Sequence, residues 1–445
     1  MVTRAQGIPH VDYVAQLTRH LASVPSFRSD WHKRGSIAIV IRLVLPNSES
    51  KYPVFDVSRY GKNKTPASLV QAVHGFLGAP EFEDGRMQIL FIQRAKYPRD
   101  PWSGHIGFPG GKREPEDGSD RVTAERETKE ELGLDLTDVC KYVHLGRLDD
   151  LCAYAMFTKI ILAVSAQVYL QIVQYTPELT LSAEIASVHW IDFGQVLKGI
   201  DRPARPFTPG YRAIPVDIAS RMFPKWRESQ PLWYRGFQCL FGKFYYTVLP
   251  LEYTKKDSII RTAQQVLVHD ELETTTSQPE LAADRSGELK DLSWKYGNIR
   301  FSSDRELYLW GLSLCILSNL VDLSLPVPPV SLNPSYTSVA SPWPQMDRYL
   351  WGDVNFMLNA AHRLVWGPYR RKPWFIRVQQ RKDKASNATI TTTTRLVGNN
   401  RDYFQAHFIT LRAVFIVSCA LKTWILWISG RAISRLIHKA FQWIQ

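Results

Sequence analysis

Three glutamates stand close together in one short stretch of the chain, RETKEELGL, which runs from residue 126 to residue 134. Glutamate, lysine and leucine favour the α-helix, and in a helix Glu127, Glu130 and Glu131 leave one face, a single turn apart. Like charges at this spacing repel each other. The stretch is therefore either a solvated acidic face or a set of hard oxygen ligands whose repulsion a divalent cation removes.

The residues before this helix favour the second interpretation. Gly110 and Gly111 follow Pro109 and mark a turn that most residues could not adopt. Such a turn leaves backbone N–H and C=O groups uncovered beside the coming helix. Backbone amides suit phosphate oxygens, and carboxylates suit the accompanying cation. The two segments together predict a site for a diphosphate and its metal ion.

The glycine turn and the acidic helix resemble the Nudix box, the signature of the Nudix hydrolases. Two positions depart from the pattern: Thr128 stands where an aliphatic residue is usual, and Asp117 stands where a glutamate is usual, one residue further from Arg126 than expected. The positions that fit one by one are Arg126, Glu127, Glu130, Glu131, Gly133 and Leu134.

The extra residue before Arg126 is typical of one subgroup, the coenzyme A diphosphatases, and the upstream segment LFIQRAKYPRDPWSGHIGFPGG is similar to their second signature. Ile92 replaces the threonine of the subgroup, and one extra residue lies between Arg99 and Gly104. The resemblance implies an α/β fold, the Nudix α/β/α sandwich with a mixed sheet. It also implies hydrolysis of the diphosphate linkage of coenzyme A or a related nucleoside diphosphate derivative. The matching positions are Leu90, Arg94, Ala95, Arg99, Gly104, Phe108, Pro109, Gly110 and Gly111.

The resemblance assigns a divalent cation, Mg²⁺ or Mn²⁺, to the acidic helix. Glu127 and Glu131, one turn apart, are the first choice as metal ligands, and Glu130 completes the shell. Arg126 is expected to hold a glutamate by a bidentate hydrogen bond rather than to contact substrate. All three side chains that the metal needs are intact, which disfavours an inactive relative of the family.

Further candidates lie on both sides of the helix. Glu184 stands where related enzymes carry a general base, although an ordinary surface glutamate is an equal alternative. Arg94, Arg99 and His105 precede the glycine turn and are candidates for substrate phosphates; paired structural arginines are their common alternative. The Gly110–Gly111 turn is expected to contribute backbone groups to the same site.

Two other functions remain open at this point. One is a diphosphatase for substrates such as NADH or ADP-ribose. The other is a membrane-associated binding protein that keeps the Nudix fold with little activity.

Five apolar, β-prone segments surround the acidic helix and predict the strands of the sheet. They cover residues 36–45 and 87–94 before the helix, and residues 143–151, 156–170 and 186–193 after it. Strands on either side of one catalytic helix suit a mixed sheet that helices cover on both faces.

The chain divides by composition into four segments. Residues 1–35 form an N-terminal extension with a short amphipathic helix, and residues 36–324 form the Nudix domain, with an insertion at about 200–300. A Pro-rich linker and a basic aromatic region follow at residues 325–404, and residues 405–445 form a hydrophobic, amphipathic C-terminal segment.

Two local predictions concern the end of the Nudix domain. The aromatic segment at residues 232–253 is β-prone. Ser303 as N-cap, with Glu306 three residues later, forms a capping box and predicts the start of the helix that ends near residue 324.

The net positive charge of the chain lies in residues 361–445. Residues 361–445 hold 15 of the 55 Lys and Arg but 2 of the 42 Asp and Glu, so they carry the entire formal charge of +13 and the remainder is neutral. A neutral catalytic part argues against a nucleic-acid surface, and no nucleic-acid partner is expected. Five scattered cysteines without a CxxC pair argue against a disulfide framework and a zinc site, which favours an intracellular, reducing compartment.

The C-terminal segment predicts contact with an anionic membrane. Residues 411–430 have the length of a membrane span but include Arg412 and Lys422, each costing about 2.5–3.5 kcal/mol near a bilayer centre. The following residues place an apolar helical face opposite a basic one; the alternative is a helix docked on the protein's own body. The membrane, whether mitochondrial, peroxisomal or endoplasmic reticulum, stays open. The apolar face comprises Ile433, Leu436, Ile437, Ala440, Phe441 and Ile444, and the basic face comprises Arg431, Arg435, His438, Lys439 and Gln442.

Overall fold

A computed structural model of the chain describes the following residues: 9–23, 26, 28–47, 49–58, 65–95, 104–154, 160–200, 212–217, 219, 223–226, 229–254, 257–260, 302–303, 306–324, 345–346, 348–361, 376–382, 389–395 and 400–444. The helices are α1 (His10–Ser23), α2 (Pro66–Leu77), α3 (Asp120–Leu132), α4 (Phe193–Ile200), α5 (Leu232–Phe241), α6 (Gly311–Ser324), α7 (Arg348–Ala361) and α8 (Asn400–Ile444). The strands before the central insertion are β1 (Arg34–Val44), β2 (Arg86–Arg94), β3 (Ile106–Gly107), β4 (Gly110–Lys112), β5 (Tyr142–Arg147), β6 (Leu151–Tyr154), β7 (Ile160–Gln171) and β8 (Ile185–Asp192). The later strands are β9 (Arg212–Asp217), β10 (Lys243–Glu252), β11 (Ser258–Ile260), β12 (Ser302–Ser303), β13 (Glu306–Leu309), β14 (Gln345–Met346), β15 (Ile376–Lys382) and β16 (Thr389–Arg395).

The larger sheet is mixed and has the order β11-β8-β2-β1-β7-β5, with β3 on β2, β4 on β1 and β6 on β7. Strand β1 lies at its centre, parallel to β7 and antiparallel to β2. The five β-prone segments of the sequence all contribute strands to this sheet.

Helices cover both faces of the sheet because β1 alternates apolar side chains between them. Ile39, Ile41 and Leu43 belong to a core shared with α1, α2 and α6. Ala38 and Val40 belong to a second core shared with α3. The predicted α/β sandwich with a mixed sheet is confirmed.

Helix α1 packs into the core rather than extending from it. Tyr13, Val14 and Leu17 are fully buried, and His20 Nδ1 lies 2.8 Å from the carbonyl oxygen of Leu323 in α6. The amphipathic helix expected within residues 1–35 is therefore part of the sandwich. The division of the chain at residues 35, 324 and 404 stays a prediction, and most of the Pro-rich linker lies outside the described residues.

The capping box at Ser303 and Glu306 is wrong. Residues 302–303 and 306–309 are strands, and α6 begins at Gly311. Strand β13 pairs with residues 249–252 of β10. The backbone hydrogen bonds of that pairing satisfy the segment, so tertiary context outweighs the local capping preference.

The β-prone segment at residues 232–253 is half helix. Helix α5 takes the first part, Gly242 ends it at φ 65°, and β10 takes the second part. The helix forms because Tyr234, Phe237 and Phe241 recur at helical spacing and pack on one side: Tyr234 is fully buried, and the other two contact α7 and α8.

Helix α8 is a single helix of 45 residues. Among the described residues, its portion Thr410–Leu436 is long and apolar enough to cross a membrane, judged by length and composition alone. Its most apolar 18 residues have a mean hydropathy of 1.7, and 11% of them are buried.

Candidate active site

Helix α3 is fixed at both ends by its own sequence. The Ser119 hydroxyl accepts a hydrogen bond from Val122 N at 3.3 Å and caps the start. Gly133 ends the helix in the left-handed region at φ 71°, and its N–H donates to Lys129 O at 2.9 Å. The box pattern requires glycine at position 133 because the end of the helix needs this left-handed conformation.

The glycine turn lies against the central strand. Strand β4 pairs with β1, with Gly110 opposite Ile37 and Gly111 opposite Ser36. Gly110 has a φ of 141°, and a Cβ atom there would overlap the Ser36 carbonyl oxygen and the Ile37 Cα. A residue with a side chain cannot take this place, so the sequence requirement for glycine comes from the close approach of two backbones.

Glu131 projects from α3 onto this turn. Its side chain is buried, with 5% of the residue exposed, and its Oε2 accepts a hydrogen bond from Gly110 N at 2.9 Å. Burial raises the pKa of Glu131 to about 8, against the hydrogen bond from Gly110, and the charge of Glu127 raises it further. A buried acid beside a second acid is an arrangement that a divalent cation would stabilise, so the donor set fits a hard metal ion.

Glu127 lies one turn earlier on the same face and meets the neighbouring glycine. A Cβ atom at Gly111 would overlap the Glu127 carboxylate, so the carboxylate lies directly against the Gly111 Cα. Burial raises the pKa of Glu127, and the neighbouring Arg126 opposes the rise. The two acids therefore converge on two consecutive glycines.

Arg126 ties the helix to the loop before it. Its Nε and one terminal nitrogen donate to the two carboxylate oxygens of Asp117, both at 3.0 Å, and the same terminal nitrogen donates to Lys112 O at 3.1 Å. The expected bidentate contact thus forms with Asp117, and the contacts with Glu127 and Glu130 are single, at 3.2 and 3.0 Å. Hydrogen bonds from Arg126 hold the pKa of buried Asp117 at about 2.

Glu130 differs from the other two glutamates. Its side chain is 57% exposed and pairs with Arg126. Within the described part of the chain, no group of three His, Cys, Asp or Glu side chains lies together in a way that could hold a metal ion. Glu127 and Glu131 share the glycine turn, and a ligand role for Glu130 stays a prediction.

Two of the other predicted residues, Arg94 and Glu184, lie close enough to Glu131 for their charges to affect it. Arg94 pairs with Glu184 at 3.5 Å, and Glu184 is 64% exposed; Glu184 raises the pKa of Glu131 and Arg94 lowers it, so both charges act on that site. The His105 ring lies 4.8 Å from the ring of Trp310, between centroids. Arg99 lies outside the described residues.

A buried ion network at the start of α3 was missed by sequence reasoning. Arg34 of β1 donates to both carboxylate oxygens of Asp120, at 2.9 and 2.7 Å, and to Asp150 at 2.6 Å. Asp150 also accepts from Ser29 N at 2.8 Å. The network fixes the first turn of α3 to the sheet. The one signal in the sequence was Asp120, directly after the N-cap Ser119. An acid there is also explained by the helix start alone, so it did not indicate an ion pair with Arg34.

A family model described as the NUDIX domain matches residues 77–211. An uncharacterized protein of Schizosaccharomyces pombe is 38% identical over 112 residues, which are 24% of this chain and 33% of that protein. The chain thus spans about one third of the length of this relative. Similar solved structures include the Ap4A hydrolase binary complex of C. elegans (15% identity, 37% of this chain, 84% of that chain, TM-score 0.22). Another is the NUDIX domain of Shewanella oneidensis NrtR with ADP ribose (15% identity, 40% and 84%, TM-score 0.21).

The matched range contains the glycine turn, α3 and Glu131, and it ends before β9, the first strand of a second sheet formed by β9, β10, β12, β13 and β14. The chain therefore contains a NUDIX domain at residues 77–211.

Proposed function

We propose that the protein is a metal-dependent hydrolase that cleaves the diphosphate linkage of coenzyme A or a related nucleoside diphosphate derivative. The observation that carries this proposal is the convergence of two acids on the glycine turn: Glu131 on the Gly110 amide and Glu127 against Gly111. The upstream signature that resembles the coenzyme A diphosphatases favours that substrate within the class.

Mg²⁺ or Mn²⁺ would be held by Glu127 and Glu131, with Glu130 completing the set. When bound, the ion supplies positive charge to phosphoryl oxygens that gain negative charge as water attacks phosphorus. Arg126 contributes by position: its bonds to Asp117 and Lys112 O fix the helix against the loop. The Gly110–Gly111 turn presents backbone groups to the same region.

The remaining candidate residues are a general base for the attacking water and side chains that bind the substrate phosphates. Glu184 is our candidate general base, and its exposed carboxylate would take one proton from water as a new P–O bond forms and the bridging P–O bond breaks, leaving two phosphate monoesters. Arg94, Arg99 and His105 are the candidates for phosphate recognition. The contact between Arg94 and Glu184 supports a shared position for base and substrate.

A panel of coenzyme A, NADH and ADP-ribose, each with Mg²⁺ or Mn²⁺, tests the proposal. We expect cleavage of coenzyme A, scored as release of adenosine 3′,5′-bisphosphate, to have the highest kcat/KM, and we expect a chelator to abolish this release. Faster cleavage of NADH or ADP-ribose would contradict coenzyme A as the preferred substrate and would support the proposed hydrolysis of a diphosphate linkage. A folded protein that cleaves none of the three would favour the binding role.

We also propose that the protein is intracellular and associates with an anionic membrane through α8. Its exposed apolar side chains and the excess of basic residues near the C-terminus support this. Deletion of residues 405–445 followed by cell fractionation is the test. An unchanged membrane fraction would contradict the proposal without bearing on hydrolysis.

A further inference from the structure

Helix α8 changes character at Lys422. Between residues 411 and 422 the side chains facing the body are buried or half-buried: Leu411 is 4% exposed and Ser418 is fully buried. From residue 423 to residue 436 every side chain is exposed, in all directions around the helix. We call residues 411–422 the docked half and residues 423–436 the free half of this apolar portion of α8.

The docked half is held by aromatic stacking. The ring of Phe415 lies 4.9 Å from the ring of Trp351 in α7, at an interplanar angle of 28°. Trp351 stacks in turn on Phe241 of α5 at 5.8 Å and 14°. The residues that face α7 and α5 recur at helical spacing along α8, so one continuous face is used for the body: Leu411, Val414, Phe415, Ser418 and Lys422.

An ion pair ends the docked half. Lys422 Nζ lies 2.9 and 3.0 Å from the two carboxylate oxygens of Asp353 in α7 and 2.7 Å from the Ser418 hydroxyl. The same ammonium lies 4.0 Å from the centroid of the Trp351 ring, and the Ser418 hydroxyl also bonds Asp353. These four residues form a clamp between α7 and α8, which keeps the chain up to Lys422 at the level of the protein body.

The docked half as a whole limits how much of α8 a bilayer can receive. A span needs roughly 20 consecutive apolar residues, but only eight residues lie between Lys422 and Arg431, and Arg435 follows four positions later. Each of these charges costs about 2.5–3.5 kcal/mol at the bilayer centre. The length and composition that allow residues 410–436 to cross a membrane are therefore lost once residues 411–422 belong to the body.

The free half has the composition of an interfacial helix. It begins with Trp424, Ile425, Leu426, Trp427 and Ile428, each at least 41% exposed. Beyond Gly430 the sequence places basic side chains on one helical face and apolar ones on the other. Tryptophan and cationic side chains are favoured together at the headgroup level of an anionic bilayer.

We propose that the free half lies in the headgroup region of an anionic bilayer without crossing it, and that the clamp sets the point where α8 leaves the protein body. The C-terminus then stays on the same side of the membrane as the NUDIX domain. This inference rests on the proposed membrane association and is independent of the proposed hydrolysis, since binding is measured without substrate.

Cosedimentation of the full-length protein with phosphatidylcholine vesicles, with and without phosphatidylserine, tests whether the free half binds an anionic bilayer. We expect binding to the anionic vesicles that salt weakens, and a loss of about tenfold or more in the double variant Arg431→Glu/Arg435→Glu. The matched control is Lys33→Glu/Lys51→Glu, which reverses two exposed lysines outside α8 and should bind like the unmodified protein. Equal binding by the Arg431/Arg435 variant and the unmodified protein would overturn the assignment.

Membrane topology separates an interfacial helix from a span. A tag placed after Gln445 and a tag before Met1 should be cut together, or protected together, when protease is added to sealed membranes from cells that express the full chain. Alkaline carbonate should release the protein from these membranes. Opposite protection of the two tags, or retention after carbonate, would show a crossing helix and overturn the proposal.

Discussion

Helices α3 and α8 are held to the same chain in opposite ways. Helix α3 has 13 residues, is capped at both ends, and is tied to the sheet and the glycine turn by buried or half-buried charges. Helix α8 has 45 residues and uses one face along part of its length. The difference fits the ligand that we propose for each helix. A phosphoryl group needs ligands at fixed positions, whereas a fluid lipid surface needs an exposed amphipathic face.

Replacement of the buried carboxyl group of Glu131, near the end of α3, should have the largest effect. We expect Glu131→Gln to lower metal-dependent turnover by about a hundredfold or more, because the amide cannot supply a charged oxygen ligand. The fold should persist, since the Gln oxygen can still accept from Gly110 N. The control is Glu83→Gln, an exposed glutamate outside the site. Turnover retained by Glu131→Gln would remove the proposed ligand role.

The glycine turn should separate stability from activity. Gly110→Ala places a Cβ atom in the backbone of β1 at a φ of 141°, and we expect a loss of about 3 kcal/mol in the free energy of unfolding. Gly118 lies in the same loop with nothing within 4 Å of its Cβ position, so Gly118→Ala is the matched control. Chemical denaturation measures both, and equal stabilities would contradict the close approach of β4 and β1.

Gly111→Ala should have the complementary result. Its Cβ atom would meet the flexible end of Glu127 rather than backbone, so the side chain can move and stability should change by less than about 1 kcal/mol. The displaced carboxylate should lower turnover by about tenfold. Loss of stability without loss of turnover would show that the Glu127 position is structural.

Local patterns were enough for the parts of α3 and the sheet that depend on neighbours in sequence. The spacing of Glu127 and Glu131 put both on one face, and the apolar, β-prone run at residues 36–45 predicted the strand β1. Side-chain direction in helices and strands follows from backbone geometry alone, so these features needed no knowledge of distant residues.

Features that join distant residues could not be predicted in this way. Arg34 and Asp150 are 116 positions apart, and Asp353 and Lys422 are 69 apart. Nothing local pairs them, because each is also an ordinary surface charge by composition. The capping box predicted at Ser303 and Glu306 was wrong for the same reason. Its residues favour a helix cap, but the segment is a strand because it pairs with β10.

Acid should weaken α3 through Asp117. Its pKa is about 2 in the folded protein against 3.8 for the ordinary group, so the stability it contributes is present above pH 3.8 and is lost as the pH falls towards 2. The shift corresponds to about 2 kcal/mol. Denaturation of the unmodified protein and of Asp117→Asn at several pH values measures it: the difference between them should narrow below pH 4. If the difference in unfolding free energy between the two proteins did not change with pH, Arg126 would not stabilise the ionised form of Asp117 over its protonated form.

The clamp on α8 should have the smallest effect. Lys422 and Asp353 are about one third exposed, at 33% and 35%, and solvent screens such a pair. A double-mutant cycle with Asp353→Asn and Lys422→Met should therefore give a coupling free energy of about 0.5–1 kcal/mol.

The measurement is amide hydrogen exchange, because a change this small is local. Exchange in residues 411–422 should increase about threefold in Asp353→Asn, and exchange in α3 should stay the same, since α3 is fixed by its own network. If the clamp variant also loosened α3, the two helices would share one cooperative unit. The contrast between a rigid helix proposed for catalysis and an independently attached helix proposed for membrane binding would then fail.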